Sequence, residues 1–63
     1  MLEVGCFYRE LISNTILEVI SIENGIVSWR ALNKKHFDGH IFRDELSKIK
    51  NNYLVKLKNY EKD

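Results

Sequence analysis

Thr15-Ile16-Leu17-Glu18-Val19-Ile20-Ser21-Ile22-Glu23, then Asn24-Gly25, then Ile26-Val27-Ser28-Trp29-Arg30-Ala31-Leu32, is the stretch that decides the fold class. Both flanking runs are rich in β-branched and aromatic side chains, which fit a pleated, half-buried surface. Asn24-Gly25 supplies two adjacent residues that tolerate the positive φ of a type I′ turn, so the stretch reads as a β-hairpin. A two-residue loop sets Ile22 opposite Val27, Ile20 opposite Trp29, Glu18 opposite Ala31 and Leu17 opposite Leu32. That register predicts a core wall of Ile20, Ile22, Val27 and Trp29, with Val19, Ser21, Ser28 and Arg30 facing outward.

Upstream, Leu2, Val4, Cys6 and Tyr8 recur at a spacing of two, which predicts a first strand within Leu2 to Leu11. Ser13-Asn14 then marks a turn, because both side chains bond their own backbone readily. Downstream, residues 33 to 40 are polar except for Phe37 and contain Asp38-Gly39, so they read as an exposed loop or a hairpin tip. Ile41-Phe42 reads as a short strand. Arg43 to Ile49 reads as one or two helical turns, since acidic residues precede a Leu and an Ile three apart. Leu46, Ile49, Tyr53, Leu57 and Tyr60 also fit one amphipathic helix, which would make the fold α+β, a three- to four-stranded meander ending in a helix. Asn51-Asn52 favours a break, and Tyr53, Val55 and Leu57 alternate as in a final strand. The expectation is a single mainly β domain over residues 1–58, about five strands and one short helix, with residues 59–63 as a frayed charged tail.

Strand, strand, hairpin partner, strand, short helix, last strand is the element order of an SH3-like barrel or a strongly bent antiparallel sheet. Gly5-x-x-Tyr8, Glu18-Val19 and Trp29-Arg30-Ala31-Leu32 resemble small bacterial and phage SH3-like domains of uncharacterised function, over roughly residues 4 to 50. The resemblance implies the barrel and carries no functional residue with it. The acidic, tyrosine-rich loop and paired tryptophans of proline-peptide-binding SH3 domains are absent, so it does not imply polyproline recognition.

A chain of 63 residues is near the lower limit for a self-supporting core, and its lone cysteine, Cys6, forms no internal disulfide. No apolar run approaches the roughly 20 residues of a membrane span, and the start lacks a signal segment, so a cytoplasmic protein is expected. The net charge of +1 conceals an asymmetry. Residues 1–29 hold Arg9 against Glu3, Glu10, Glu18 and Glu23, a net of −3, whereas residues 30–58 hold eight cations against Asp38, Asp44 and Glu45, a net of +5.

His36, Asp38 and His40 alternate, a spacing that on an extended strand aims three metal ligands to one side. The Asp38-Gly39 bend scatters them and no fourth ligand is evident, so no metal site is expected. Cys6 with a histidine and Asp38 would imitate a nucleophile, base and orienting carboxylate. A cysteine sharing the spacing of Val4 and Tyr8 is better read as a small core side chain, and no catalytic residue and no cofactor is expected. Lys34, Lys35, Arg43, Lys48, Lys50, Lys56 and Lys58, interleaved with Phe37, Phe42 and Tyr53, could attract phosphates while bases stack on the rings. Trp29 reads as core. Leu17, Val19, Arg30 and Leu32, with His36 and Phe37 of the loop, are then the surplus surface for a partner.

Together these readings predict a non-enzymatic protein–protein interaction module, an accessory or host-directed regulatory factor in the cytoplasm of a bacterium or a phage-infected host cell. Its partner is another protein or a second copy of the chain, and no membrane is involved. The alternative is a small RNA- or DNA-binding protein that uses the basic second half.

Overall fold

A computed structural model describes residues 2–33 and 39–58. The elements are β1 (Phe7–Glu10), β2 (Thr15–Glu23), β3 (Ile26–Ala31), β4 (Ile41–Glu45), two single 3₁₀ turns at Leu46–Lys48 and Asn51–Tyr53, and β5 (Leu54–Leu57). All five strands are antiparallel to their neighbours in one open sheet of order β4-β3-β2-β1-β5. The fold is mainly β, as the sequence predicts.

The hairpin forms where Asn24-Gly25 places it, with φ of 51° and 75° at the two loop residues, the pair of positive values a type I′ turn needs. Ile22 faces Val27 as expected, but the register shifts between Val19 and Ser21, and beyond the shift Val19 faces Trp29, Glu18 faces Arg30 and Leu17 faces Ala31. Ile20 is thus an extra residue, a β-bulge, and it reverses which residues of β2 point inward. Leu17 and Val19, expected on an outward partner-binding face, are core instead: Val19 is 1% exposed and Leu17 8%. They join Leu2, Tyr8, Val27, Trp29 and Ala31 in the buried cluster, and Cys6, Ile22, Phe42, Ile49 and Leu54 pack against it half-buried. Ile20 yields its expected place opposite Trp29 to Val19.

The first strand is shorter than its alternation predicts. Gly5 has φ of +86° and sits in a turn closed by a Cys6 N–H bond to the Glu3 carbonyl, 3.2 Å, so the extended run begins only at Phe7. Val4 is thereby turned out to solvent while Leu2 folds back onto the core. The Ser13-Asn14 turn forms as expected, with Asn14 at φ 58°.

At the other end, Ile41-Phe42 extends through Arg43-Asp44-Glu45 as strand, which displaces the helix expected there. The ladder even continues past Glu45, because the Leu46 N–H donates to the Gly25 carbonyl at 2.8 Å. Only a single 3₁₀ turn remains at Leu46–Lys48. A second turn at Asn51–Tyr53 breaks the chain where Asn51-Asn52 predicts, and β5 follows, so no continuous helix runs from 44 through the described end at 58. Residues 46–53 return the chain from the foot of β4 to the head of β5, and Ile49 on this return packs against the core.

Val19→Ala removes two methyl groups from a fully buried site and is expected to cost about 2–3 kcal/mol, a large share of the stability of so small a domain. Ile20→Ala should cost less than about 1 kcal/mol. Urea unfolding of both variants checks the bulge: a larger loss at Ile20 than at Val19 would restore the uninterrupted register.

Candidate binding groove around Trp29

Alternation along β3 and β4 places Trp29 opposite Phe42 and Val27 opposite Asp44, all four on the core side of the sheet. An indole buried to 8% exposure still needs a partner for its N–H, and Trp29 Nε1 donates to Asp44 Oδ2 at 2.8 Å. This bond fixes the ring and brings a carboxylate to the inner side of an edge strand.

On either side of the Trp29–Asp44 pair lies an open cavity. One, of about 320 Å³, has a floor of Leu17, Trp29, Ala31 and Phe42, with Glu10, Ser13, Thr15 and Asp44 at its margin. The other, of about 250 Å³, is floored by Trp29, Ile49 and Leu54 and edged by Ile12, Lys50 and Tyr53, again with Glu10 and Asp44. Glu10, Trp29 and Asp44 wall both, so the two form one trough across the core side of the sheet. Residues of β1 to β4 line the first cavity together, which requires the sheet to curl around it. Apolar surface continues at the rim, where Ile12 is 75% exposed and Leu11 donates its N–H to the Tyr53 carbonyl.

Glu10 is held by the turn it precedes. Its Oε1 accepts the Ser13 N–H at 2.7 Å and the Ser13 hydroxyl at 2.6 Å, and its Oε2 accepts the Ile12 N–H at 3.1 Å. These bonds, the Ser13 hydroxyl first, hold its carboxyl below the ordinary carboxylate value, so it is charged at neutral pH. Nearby, Asn33 accepts the Ile16 N–H at 2.8 Å and donates to the Asn14 carbonyl at 2.9 Å, tying the head of β2 to the end of β3. The trough is thus an aromatic and aliphatic floor between two carboxylates, with Lys50 as a cation at one side.

A wider cleft of about 460 Å³ lies at the other end of β1 and β5, lined by Gly5, Cys6, Phe7, Lys56, Leu57 and Lys58. Lys56 there is ion-paired and hydrogen-bonded to Glu3, which raises the lysine's pKa and lowers the carboxylate's. Cys6 precedes β1, an interior strand, and His40 precedes β4, an edge strand, so β2 and β3 lie between the strands that carry this thiol and imidazole. His40 stacks edge-on against Phe42, with ring centroids 4.6 Å apart. Among the described residues no cluster of three His, Cys, Asp or Glu could hold a metal. His36, Phe37 and Asp38 of the expected loop sites, and Lys34 and Lys35 of the basic set, lie outside the described residues.

The remaining expected cations are dispersed. Arg43 is on β4 and Lys56 on β5, the two opposite edges of the sheet. Lys48 pairs with Glu45 at 3.7 Å, Lys50 sits at the trough, and Lys58 follows β5. Of the expected partner residues, Arg30 faces outward beside Glu18 at 3.8 Å, and Leu32 is half-buried, its N–H bonded to the Ile16 carbonyl. The sequence reading missed Glu10, Phe42, Asp44 and Tyr53 as one site. Their signals were present: an acid directly before a turn, and a Phe42-x-Asp44 alternation that sets a charge on the inward side of a strand.

The lowered Glu10 pKa means that its contribution to stability is present above the ordinary carboxylate value and is lost as pH falls through the folded value. Glu10→Gln should therefore flatten part of the loss of stability as pH falls from the ordinary carboxylate value through the lower folded one. Urea unfolding across that range measures it, and a slope equal to that of the unmodified chain would show that the turn does not hold the carboxylate.

No protein-family model, curated protein or solved structure matches the chain.

Proposed function

We propose that this chain is a small, non-enzymatic protein-interaction module that docks a partner polypeptide along the Trp29 trough. The observation that carries this reading is the trough itself: an apolar floor of Trp29, Phe42 and Leu54, opened to solvent between the fixed carboxylate of Glu10 and that of Asp44. Concave apolar surfaces with a few convergent, hydrogen-bonded polar groups are where proteins bind ligands, and immobilised aromatic side chains are the usual anchors of protein interfaces. The exposed Ile12 and Tyr53 at its rim extend that surface. The strand order, with a 3₁₀ turn before the last strand, supports the SH3-like reading of the architecture.

A phosphate backbone would meet two carboxylates at this trough, and two of the expected basic residues, Lys48 and Lys56, are already paired with Glu45 and Glu3. These features weigh against the nucleic-acid reading. Cys6 and His40, with β2 and β3 between the strands they precede, weigh against a cysteine–histidine enzyme.

The test is affinity capture from native lysate with and without nuclease, using the unmodified chain and an Ile12→Asp, Tyr53→Ala double variant whose altered side chains are exposed. A stoichiometric protein that survives nuclease and is lost with the double variant is the expected result. Capture of nucleic acid, with binding that falls steeply with salt and is lost in a Lys34→Glu, Lys35→Glu variant, would replace this function with the alternative.

A further inference from the structure

Resting on the protein-interaction reading, the geometry points to a specific mode and a specific partner chemistry: an extended segment that adds to β4 as a sixth, antiparallel strand and sets a Lys or Arg opposite Asp44, with an apolar residue two positions away opposite Phe42. Among the described strands β4 is hydrogen-bonded only to β3. The Leu46 N–H bond to the Gly25 carbonyl fixes the phase of that ladder. Phe42 and Asp44 therefore turn their backbone groups toward β3, and Ile41, Arg43 and Glu45 turn theirs to the open edge.

An added strand would bond to Ile41, Arg43 and Glu45, and its residues opposite Phe42 and Asp44 would occupy the non-hydrogen-bonded positions, where facing side chains come closest. Both of those positions lie on the core side, at the mouth of the Trp29 trough. Phe42, its ring in edge contact with His40, makes the surroundings of its own position apolar. Asp44 gives one oxygen to Trp29 and has acceptor capacity left for a cation, and Glu10 across the trough adds a second negative charge. A carboxylate on the inward side of an edge strand repels most strands that would add there, so the same residue that guards the edge selects a cationic partner. The opposite edge differs: β5 presents Lys56, already held by Glu3 of the N-terminal segment.

The experiment is selection of a phage-displayed random nonapeptide library on the immobilised full chain, followed by binding of the selected peptides in solution. Enriched peptides should carry Lys or Arg two residues from an apolar residue, without proline between them. N-methylation of the amide between those two residues, which faces β4, should weaken binding by about tenfold or more, while N-methylation of the basic residue itself should be tolerated. Asp44→Asn, which retains an acceptor for Trp29, should weaken binding by about fivefold, as should replacing the peptide's basic residue by Gln. Enriched peptides that lack the basic residue, or are indifferent to which amide is methylated, would overturn strand addition yet leave the interaction module standing if Ile12→Asp abolishes their binding. Absence of any enriched peptide would overturn both. Self-association of the chain through β4, seen as a dimer in sedimentation that Arg43→Pro dissolves, would assign the edge to a second copy and overturn the cationic partner.

Discussion

The extra residue at Ile20 governs the rest of the molecule. Among the described residues the five-stranded sheet has no second layer to pack against, so its buried side chains come to one side and the sheet curls to cover them. Before the bulge, Leu17 and Val19 of β2 point inward; after it, Ile22 does. Without the inserted residue, a ladder that keeps Ile22 opposite Val27 would set Ile20 opposite Trp29 and the charged Glu18 opposite Ala31 on the inward side. A bulge also bends its strand and increases local twist, which assists the curl. Residues 46–53 complete the cover by crossing from β4 to β5 with Ile49 against the core.

The curl leaves a seam. Trp29 is too large to be enclosed by the strands alone, and its N–H requires an acceptor, so the core ends in a polar contact with Asp44 where a fully apolar interior would have needed none. The same economy operates at Glu10, whose carboxylate satisfies the two amides that the tight turn at Leu11–Asn14 frees from the ladder. Both carboxylates are there for structural reasons, and both border the trough. Its chemical character is therefore a by-product of how this small sheet satisfies its own backbone and its one tryptophan.

The parts of the fold legible in the sequence were those decided locally. Asn24-Gly25 fixed the turn and its nearest cross-strand pairs, and Asn51-Asn52 separated the last strand from what precedes it, because each depends on the conformational preference of one or two residues. The bulge was not legible: Leu17, Val19, Ile20 and Ile22 are all apolar and mostly β-branched, so alternation is equally satisfied by either phase. The choice is made by tertiary fit to Trp29 and Tyr8. Gly5 hid the early end of the first strand for the opposite reason, since its neighbours alternate well and only its positive φ breaks the run. Arg43-Asp44-Glu45 looked like a helix start because charges are usual there; their place in a strand depends on the hydrogen bond from Trp29 and on the ladder with β3, neither of which local sequence encodes. The site was illegible to the same degree, being built from four segments that only the curl brings together.

The pairing of β1 with β5 has a consequence for synthesis. Tyr8 and Leu17 meet early in the chain, but the other side of β1 is closed only by Leu54 to Leu57, through partners such as Phe7 and Leu57 that lie almost at opposite ends of the sequence. A chain growing from its N-terminus at roughly 5–20 residues per second can form the hairpin and add β4 while β1 still presents an open edge. The sheet is therefore complete only once Leu57 has been made, and a nascent stretch that stops short of β5 has β1 at its border instead.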